Sequence, residues 1–165
     1  MKDYRVPDNT SIGHVHLKVS DLNLALDFYC NMLGFELMQT YGSDAAFISA
    51  GGYHHHIGLN TWYSKNGPRP ARNASGLFHT AIRYPQRSDL ARIYKRLSDL
   101  QYPFTGFADH GVSEAVYLDD PDGNGVELYW DRPRSEWPRK SDGSIDMFTK
   151  PLDLVDLLDE LNNGR

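Results

Sequence analysis

The sequence predicts an α+β fold in which two βαβββ modules pair into a half-open, curled β-barrel, with the helices outside and a C-terminal helical tail. Two observations support this prediction. The order of one strand, one helix and three strands occurs twice. The segments that open the two copies, residues 14–19 (HVHLKV) and 79–84 (HTAIRY), match at an offset of 65 residues. One such unit cannot bury both its sheet and its helix, whereas two paired sheets create a curl with a natural cavity inside.

The first module covers residues 11–62. Alternating apolar and polar residues predict its first strand at 11–19, and Ser20-Asp21 is a typical cap for the helix that Gly34 ends. Glycine-containing turns then separate three strand-like runs, at 35–41, 45–50 and 53–60.

The second module covers residues 76–133 and follows a linker at 63–75 that is rich in Pro and polar residues. Its predicted elements are a strand at 77–84, a helix at 86–101, and strands at 103–107, 113–119 and 125–130. An N-terminal extension, 1–10, and a tail, 134–165, complete what we interpret as one structural domain. Pro151 opens a short apolar helix in the tail, which we expect to pack on the barrel or on a partner subunit.

Composition excludes several classes of protein. The chain has 165 residues with 17 Lys and Arg, 22 Asp and Glu, and a net charge of -5, so we expect no nucleic-acid partner and no membrane partner. No apolar run approaches the length of a transmembrane helix, and the polar N-terminus is not a signal peptide. Cys30 is the single cysteine, so no intrachain disulfide forms and a cytoplasmic location is expected.

The histidines are the strongest indication of function, because all seven fall on or beside predicted strands. His14 and His79 occupy equivalent positions of the repeat, and Glu127 lies on the last strand of the second module. Two imidazoles and one carboxylate, with open positions, are typical of a non-haem Fe(II) site. The alternative is a pair of structural strand histidines and a glutamate at the rim.

Long segments of the chain resemble the vicinal oxygen chelate superfamily, which includes glyoxalase I, extradiol dioxygenases and bleomycin-binding proteins. These segments are GHVHLKVSDL, GLFHTAIRY and DPDGNGVELYWDRP, and the similarity covers about residues 11–133. The runs SAGGYHHHIGLN and DHGVSEAVYLDD are most similar to the catechol 2,3-dioxygenase branch. The resemblance implies a metal bound in the curled sheet by His14, His79 and Glu127.

One position departs from the glyoxalase I pattern. Relatives of that kind place a fourth ligand, usually Glu or Gln, on the last strand of the first module, where this chain has Gly58. Glycine has no ligand atom, so three cis positions stay open, enough for a chelating catechol and dioxygen. This departure favours an Fe(II) ring-cleavage site over a hexacoordinate glyoxalase site.

The resemblance also implies catalytic residues. An acid/base histidine is expected on the 53–60 strand and best matches His56, with His54 as the alternative on the same face, and His55 is then expected to face away. Tyr117 precedes Glu127 by ten residues across a hairpin and can reach the metal mouth. His110 is expected to help position the substrate. For each of these residues, the alternative is a purely structural role.

Together these patterns predict an Fe(II)-dependent extradiol dioxygenase that acts on a small aromatic diol with O2. Mn, Ni or Zn is the alternative metal for a glyoxalase-like isomerase or epimerase that needs no O2. A non-enzymatic drug- or metabolite-binding protein is the third hypothesis, although such proteins commonly lack the triad present here. A homodimer is expected for a curled sheet of this size, with the tail helix as a candidate contact.

Overall fold

The computed structural model describes residues 3–163, so the first two residues of the N-terminal extension and the last two of the tail lie outside it. Contacts divide the chain into two compact units, Met1–Gly67 and Pro68–Arg165. Each unit contains one βαβββ module and one open four-stranded mixed sheet. The predicted α+β fold of two such modules with a C-terminal helix is therefore confirmed.

The first unit is built around a sheet with strand order β1-β4-β3-β2. Its elements are β1 (Val15–Lys18), α1 (Leu22–Leu26), a π-helical continuation of α1 (Asp27–Met32), β2 (Glu36–Tyr41), β3 (Ala45–Ser49) and β4 (Ile57–Asn60). Strands β1 and β4 are parallel and the other two pairs are antiparallel. The sheet and the helix share a core in which Val19, Phe28, Tyr29, Ile48 and Leu59 are fully buried.

The helix of this unit begins as the sequence predicts. The carboxylate of Asp21 accepts from the main-chain N–H groups of Asn23 at 2.8 Å and Leu24 at 3.2 Å, which satisfies two of the free donors at the helix start. Cys30 lies in the π-helical turn and is half-buried, and burial raises the pKa of its thiol. Because a reactive thiol needs a lowered pKa, Cys30 has the character of an inert packing residue.

The second unit repeats the same order with a sheet of strand order β5-β8-β7-β6. Its elements are β5 (His79–Arg83), α2 (Arg87–Asp99), β6 (Phe104–Asp109), β7 (Ser113–Asp119) and β8 (Gly125–Asp131). Leu90 and Leu97 of α2, together with Leu118 and Leu128 of the sheet, are fully buried. Apolar burial of this kind is the main favourable term that holds the helix on the sheet.

Gly125 is required for the close approach of β5 to β8. It pairs with His79 in the parallel register, and a Cβ at this position would lie 2.2 Å from the carbonyl oxygen of Phe78 and 3.1 Å from the Cβ of His79. Any residue other than glycine would push these strands apart. The last glycine of the DPDGNG run therefore determines where the His79 side chain stands.

The tail contains a 3₁₀ turn (Arg134–Glu136) and the helix α3 (Leu154–Asn163). Of the two alternatives for the tail helix, the structure shows packing within the same unit, since α3 lies against α2 and Leu157 is fully buried. Arg87 of α2 donates to Asp156 at 2.7 Å and Glu160 at 3.0 Å of α3. The helix begins at Leu154, three residues after Pro151.

Arg87 also belongs to an ion network inside the second unit. Its Nε donates to Glu114 Oε2 at 2.7 Å, and Arg132 donates to Glu114 Oε1 at 2.6 Å and to Asp109 Oδ1 at 2.8 Å. Burial lowers the pKa of Arg87, but the bonds to Glu114, Glu160 and Asp156 outweigh it and leave that pKa raised. The tail helix is thereby tied to the end of β6.

Candidate active site

Three of the proposed site residues are brought together by strand register in the second unit. Tyr117 on β7 and Glu127 on β8 are direct partners across an antiparallel pair, and Ala81 on β5 is the parallel partner of Glu127. His79 stands two residues before Ala81, so its side chain shares a face with Glu127. The antiparallel pair β7–β8 and the parallel pair β5–β8 thus bring Tyr117, Glu127 and His79 to the same part of the sheet.

A chain of hydrogen bonds connects these side chains to a fourth. His79 Nε2 lies 2.9 Å from Glu127 Oε2, and the Tyr117 hydroxyl donates to Glu127 Oε1 at 2.8 Å. His110 Nε2 lies 2.8 Å from the Tyr117 oxygen on its other side. The structure therefore unites His79, Glu127, Tyr117 and His110, in that order, in one continuous chain.

The surroundings of this chain favour one protonation state of Tyr117. Burial, followed by the hydrogen bond and negative charge of Glu127, raises the pKa of the phenol well above its ordinary value. Tyr117 therefore stays protonated at neutral pH and acts as a donor to the carboxylate. Both oxygens of Glu127 are engaged, and its side chain is 12% exposed.

His79 carries a polar atom without a protein partner. Its Nδ1 is buried and forms no hydrogen bond with any residue in the described part of the chain, whereas its Nε2 faces Glu127. A buried imidazole nitrogen without a partner is costly in a purely structural histidine. Nδ1 is therefore an unsatisfied buried polar atom beside the candidate site.

In the first unit, one histidine of β1 covers a glycine of β4. His16 on β1 is the parallel partner of Gly58 on β4, and its ring lies directly over the glycine. A Cβ at Gly58 would lie 2.9 Å from the His16 ring. The space that a side chain at position 58 would need is thus occupied by an imidazole.

His56 is held at the entrance to β4. Its Nδ1 lies 2.9 Å from the hydroxyl oxygen of Ser49 and accepts from the main-chain N–H of Ala50 at 3.3 Å. Because a main-chain N–H can only donate, Nδ1 carries no proton and the proton of the neutral ring is on Nε2. The neutral imidazole is therefore a donor at Nε2.

The prediction that His55 faces away is wrong. The His55 ring lies 4.4 Å from the His14 ring and 5.0 Å from the Phe47 ring, between centroids. The physical reason is that β4 begins at Ile57 and not at residue 53, so strict alternation does not apply to the three histidines. His54 Nδ1 lies 2.7 Å from His55 Nδ1. His55 was therefore missed, although the pair Gly51-Gly52 was a signal that the strand starts late.

His14 lies in the first unit, immediately before β1, and its side chain is exposed. Over residues 3–163, no group of three or more His, Cys, Asp and Glu side chains stands in an arrangement able to hold a metal ion. Of the three proposed ligands, His79 and Glu127 are the two that the structure shows in contact. His14 as the third ligand is a proposal.

Two βαβββ modules with this order and sheet topology define a glyoxalase-type fold. A glyoxalase/dioxygenase from Nostoc punctiforme shares it at a TM-score of 0.64 and 18% identity, over 81% of this chain and 99% of that one. Residues 11–128 match the glyoxalase/bleomycin resistance protein/dioxygenase superfamily. The chain belongs to this superfamily.

Two relatives with different names are similar to this chain in sequence. A catechol-2,3-dioxygenase of Bacillus subtilis is 37% identical over 97% of this chain and 55% of its own length. The chain therefore spans little more than half of that relative. The metallothiol transferase FosB of Staphylococcus epidermidis is 29% identical over 73% of this chain and 81% of its own length. Among the described residues, no helix is long and apolar enough to cross a membrane.

Proposed function

We propose that this chain is an Fe(II)-dependent extradiol dioxygenase that cleaves a small aromatic diol with O2, and that His14, His79 and Glu127 hold the metal. The observation that carries the proposal is the pairing of His79 Nε2 with Glu127 Oε2 at 2.9 Å beside Tyr117. The catechol dioxygenase relative supports the diol as substrate class.

The donor set fits such a metal. Two donor atoms that share one ion at right angles, each about 2.1 Å away, are about 3 Å apart, close to the observed separation of the nitrogen and the oxygen. One imidazole nitrogen and one carboxylate oxygen are ligands that suit Fe(II), and Mn, Ni and Zn as well. When bound, Fe(II) supplies Lewis-acid activation of the diol and a redox route between the ring and dioxygen.

The proposed catalytic residues have separate roles. Tyr117 donates to the oxygen of Glu127 that does not face His79, so it fixes the orientation of the carboxylate. His110 Nε2 contacts the Tyr117 oxygen on the side away from Glu127. His56 is the proposed acid/base residue, and its neutral ring presents an N–H at Nε2 that can donate a hydrogen bond. His54, the alternative acid/base residue, has its Nδ1 against His55.

Gly58 supports ring cleavage over a glyoxalase-like reaction. No side chain at this position provides a ligand, and the His16 ring blocks the space that a larger residue would need. The FosB relative favours a second candidate, a metal-dependent reaction on a vicinal oxygen pair that needs no O2. The two candidates differ in their requirement for dioxygen.

The deciding experiment is oxygen uptake by anaerobically purified, Fe(II)-loaded protein with a panel of catechols. We expect uptake together with a yellow ring-opened product, and loss of both in His79→Ala and Glu127→Gln. Glu36→Gln is the matched control, because it makes the same change at an exposed position of β2. No uptake by metal-replete protein over the whole panel would overturn the proposal, and turnover that survives without O2 would favour the second candidate.

The proposal also includes a cytoplasmic location and a homodimeric state. A cytoplasmic location is consistent with a single unpaired cysteine. A homodimer is testable by light scattering on the purified protein. Because Leu157 of α3 is buried against its own unit, another surface would have to supply most of that contact.

A further inference from the structure

Five rings of the first unit form one continuous surface, which we call the ring surface. Its members are His14, His16, Phe47, His55 and Trp62. Between ring centroids, His14 lies 4.4 Å from His55, and His55 lies 5.0 Å from Phe47. Phe47 lies 5.9 Å from His16, which lies 5.6 Å from Trp62. Each ring therefore packs on the next, with His14 at one end of the series and Trp62 at the other.

Trp62 is the largest member of the ring surface, and it is open to solvent. The residue is 51% exposed, although tryptophan is on average one of the more buried residue types. His14 and His16 are exposed as well, so both ends of the ring surface are accessible. Exposed aromatic area beside polar groups is typical of a surface that binds a ligand, because the ligand removes that area from water.

The main chain around Trp62 is fixed by hydrogen bonds. Its N–H donates to the side-chain oxygen of Asn60 at 3.2 Å, and Asn60 is buried. Two residues later, Ser64 Oγ donates to the main-chain carbonyl of Val19 at 2.9 Å. The His16 ring that Trp62 contacts is itself seated over Gly58. A ring held in this way loses little conformational freedom when a ligand packs on it, which favours binding.

The distance from His14 to Trp62 indicates how large a ligand must be to contact both. His16 follows His14 by two residues at the start of β1, so their Cα atoms are about 7 Å apart in an extended chain. The Trp62 ring stands one ring contact further, 5.6 Å from the His16 ring. A single aromatic ring bound at His14 therefore covers the near part of the ring surface. Only a ligand that carries a further group reaches Trp62.

We propose that Trp62 is a specificity residue of the site: it packs on a second ring, or on a flat apolar group of similar size, carried by the diol. It thereby favours such a diol over unsubstituted catechol. The inference rests on the proposed function, because it takes His14 as a ligand of the metal that chelates the diol. It goes further by naming the substituent that the substrate carries. Packing on the indole adds affinity through a part of the substrate that does not react.

Equilibrium binding tests the proposal without turnover. Under argon, calorimetry with the Fe(II)-loaded protein should show biphenyl-2,3-diol bound about tenfold more tightly than catechol. Trp62→Ala should bind biphenyl-2,3-diol about tenfold more weakly and catechol with unchanged affinity. Trp62→Phe, which keeps an aromatic ring, should retain most of the preference. Tyr63→Ala is the matched control, because Tyr63 is the neighbouring aromatic residue and is 91% exposed. It should bind both diols as the wild type does.

A second readout reports the contact itself. In Zn(II)-loaded protein, the NMR signal of the Trp62 indole N–H is assigned by its absence from Trp62→Phe. This signal should shift when biphenyl-2,3-diol is added and stay nearly unchanged with catechol. Trp137, whose Nε1 donates to the main-chain carbonyl of Arg132 at 2.8 Å, provides the reference signal. The shift does not depend on ring cleavage, because zinc has no redox chemistry.

The outcomes separate this inference from the proposed function. Unchanged affinity for biphenyl-2,3-diol in Trp62→Ala, or equal losses for both diols, would overturn the role of Trp62 even if catechols are cleaved. Equal effects in Trp62→Ala and Tyr63→Ala, or an unshifted Trp62 signal, would overturn it as well. Selective binding as expected, without ring cleavage of any diol, would leave the specificity assignment standing and count against the dioxygenase.

Discussion

Tyr117 lies directly opposite Glu127 across the antiparallel pair β7–β8, and its hydroxyl donates to Glu127 Oε1 at 2.8 Å. This bond leaves the second carboxylate oxygen to His79. One strand partner therefore determines which oxygen of the carboxylate is turned toward the imidazole. The orientation of a carboxylate is set by such a partner in many metal sites.

Removing the Tyr117 hydroxyl should weaken metal binding more than it weakens the fold. In Tyr117→Phe the ring stays but Glu127 loses its donor, so we expect affinity for Fe(II) or Co(II) to fall by about tenfold. The lost hydrogen bond should lower the free energy of unfolding by only about 1 kcal/mol. Metal titration and urea unfolding measure the two effects separately.

Tyr102→Phe is the matched control for this variant. The Tyr102 hydroxyl donates to the main-chain carbonyl of Asp119 at 2.7 Å, in the same unit. A similar loss of stability with unchanged metal affinity is expected there. Equal metal affinity in Tyr117→Phe and the wild type would show that Glu127 needs no donor.

Gly125→Ala should be among the most destabilising substitutions in the second unit. The added Cβ would collide with the carbonyl oxygen of Phe78 at 2.2 Å, and both groups belong to paired main chains that cannot move independently. We expect a loss of at least about 2 kcal/mol in the free energy of unfolding, together with displacement of His79. Gly76→Ala, with nothing within 4 Å of the added carbon, should be nearly neutral. Similar urea midpoints for the two variants would refute this account.

Glu114→Gln should destabilise the protein through the buried ion network. Glu114 is 3% exposed and accepts from both Arg87 and Arg132, so its neutralisation leaves two guanidinium groups without their shared counter-charge. We expect a loss of about 3–5 kcal/mol, as for other buried pairs that lose one partner.

Asp99→Asn provides the exposed comparison for Glu114. Asp99 pairs with Lys95 at 2.7 Å, with side-chain exposures of 64% and 55%, so its removal should cost less than about 1 kcal/mol. Thermal or urea unfolding of Glu114→Gln and Asp99→Asn under the same conditions measures the two losses of unfolding free energy. Losses of equal size would mean that the buried network contributes no more than a surface pair.

Stability should fall at alkaline pH because of Tyr84, which is half-buried. Burial, and then the charge of Asp89, raises the pKa of Tyr84 from 10.0 to about 12. The unfolded chain loses this proton near pH 10 and the folded chain near pH 12, so the stabilisation is complete below pH 10 and is lost as the pH rises toward 12. Tyr84→Phe should therefore show a shallower decline of stability over this range than the wild type. Tyr63→Phe, at a side chain that is 91% exposed, should follow the wild-type curve.

The repeat and the turn residues made most of the fold predictable. Because the same order of elements occurs twice, the order of strands and helices in each module could be predicted from periodicity and glycines. The partnership of Tyr117 with Glu127 could also be anticipated, since the DPDGNG turn fixes which residues face each other across the hairpin.

The histidine run and the tail were harder to predict, for different physical reasons. Gly51 and Gly52 both have positive φ, and the chain rejoins the sheet only at Ile57, so local alternation misplaced His55. The contact of His110 with Phe148 joins residues 38 positions apart through a main-chain carbonyl. No local pattern of side chains encodes such a contact.

The contacts of the tail segment Phe148–Lys150 with the end of β6 have a consequence for how this chain tolerates change. The contacts of this segment with Asp109 and His110 are made largely by main-chain atoms, which every residue except proline supplies in full. Single substitutions in this segment that keep the Phe148 ring should therefore be largely silent. What must be kept is the spacing between Asp146, whose N–H donates to the carbonyl of Pro138, and Phe148, because one inserted or deleted residue there would bring a different carbonyl to His110. Insertions and deletions between these residues, more than replacements, are the changes that should uncouple the tail from the candidate site.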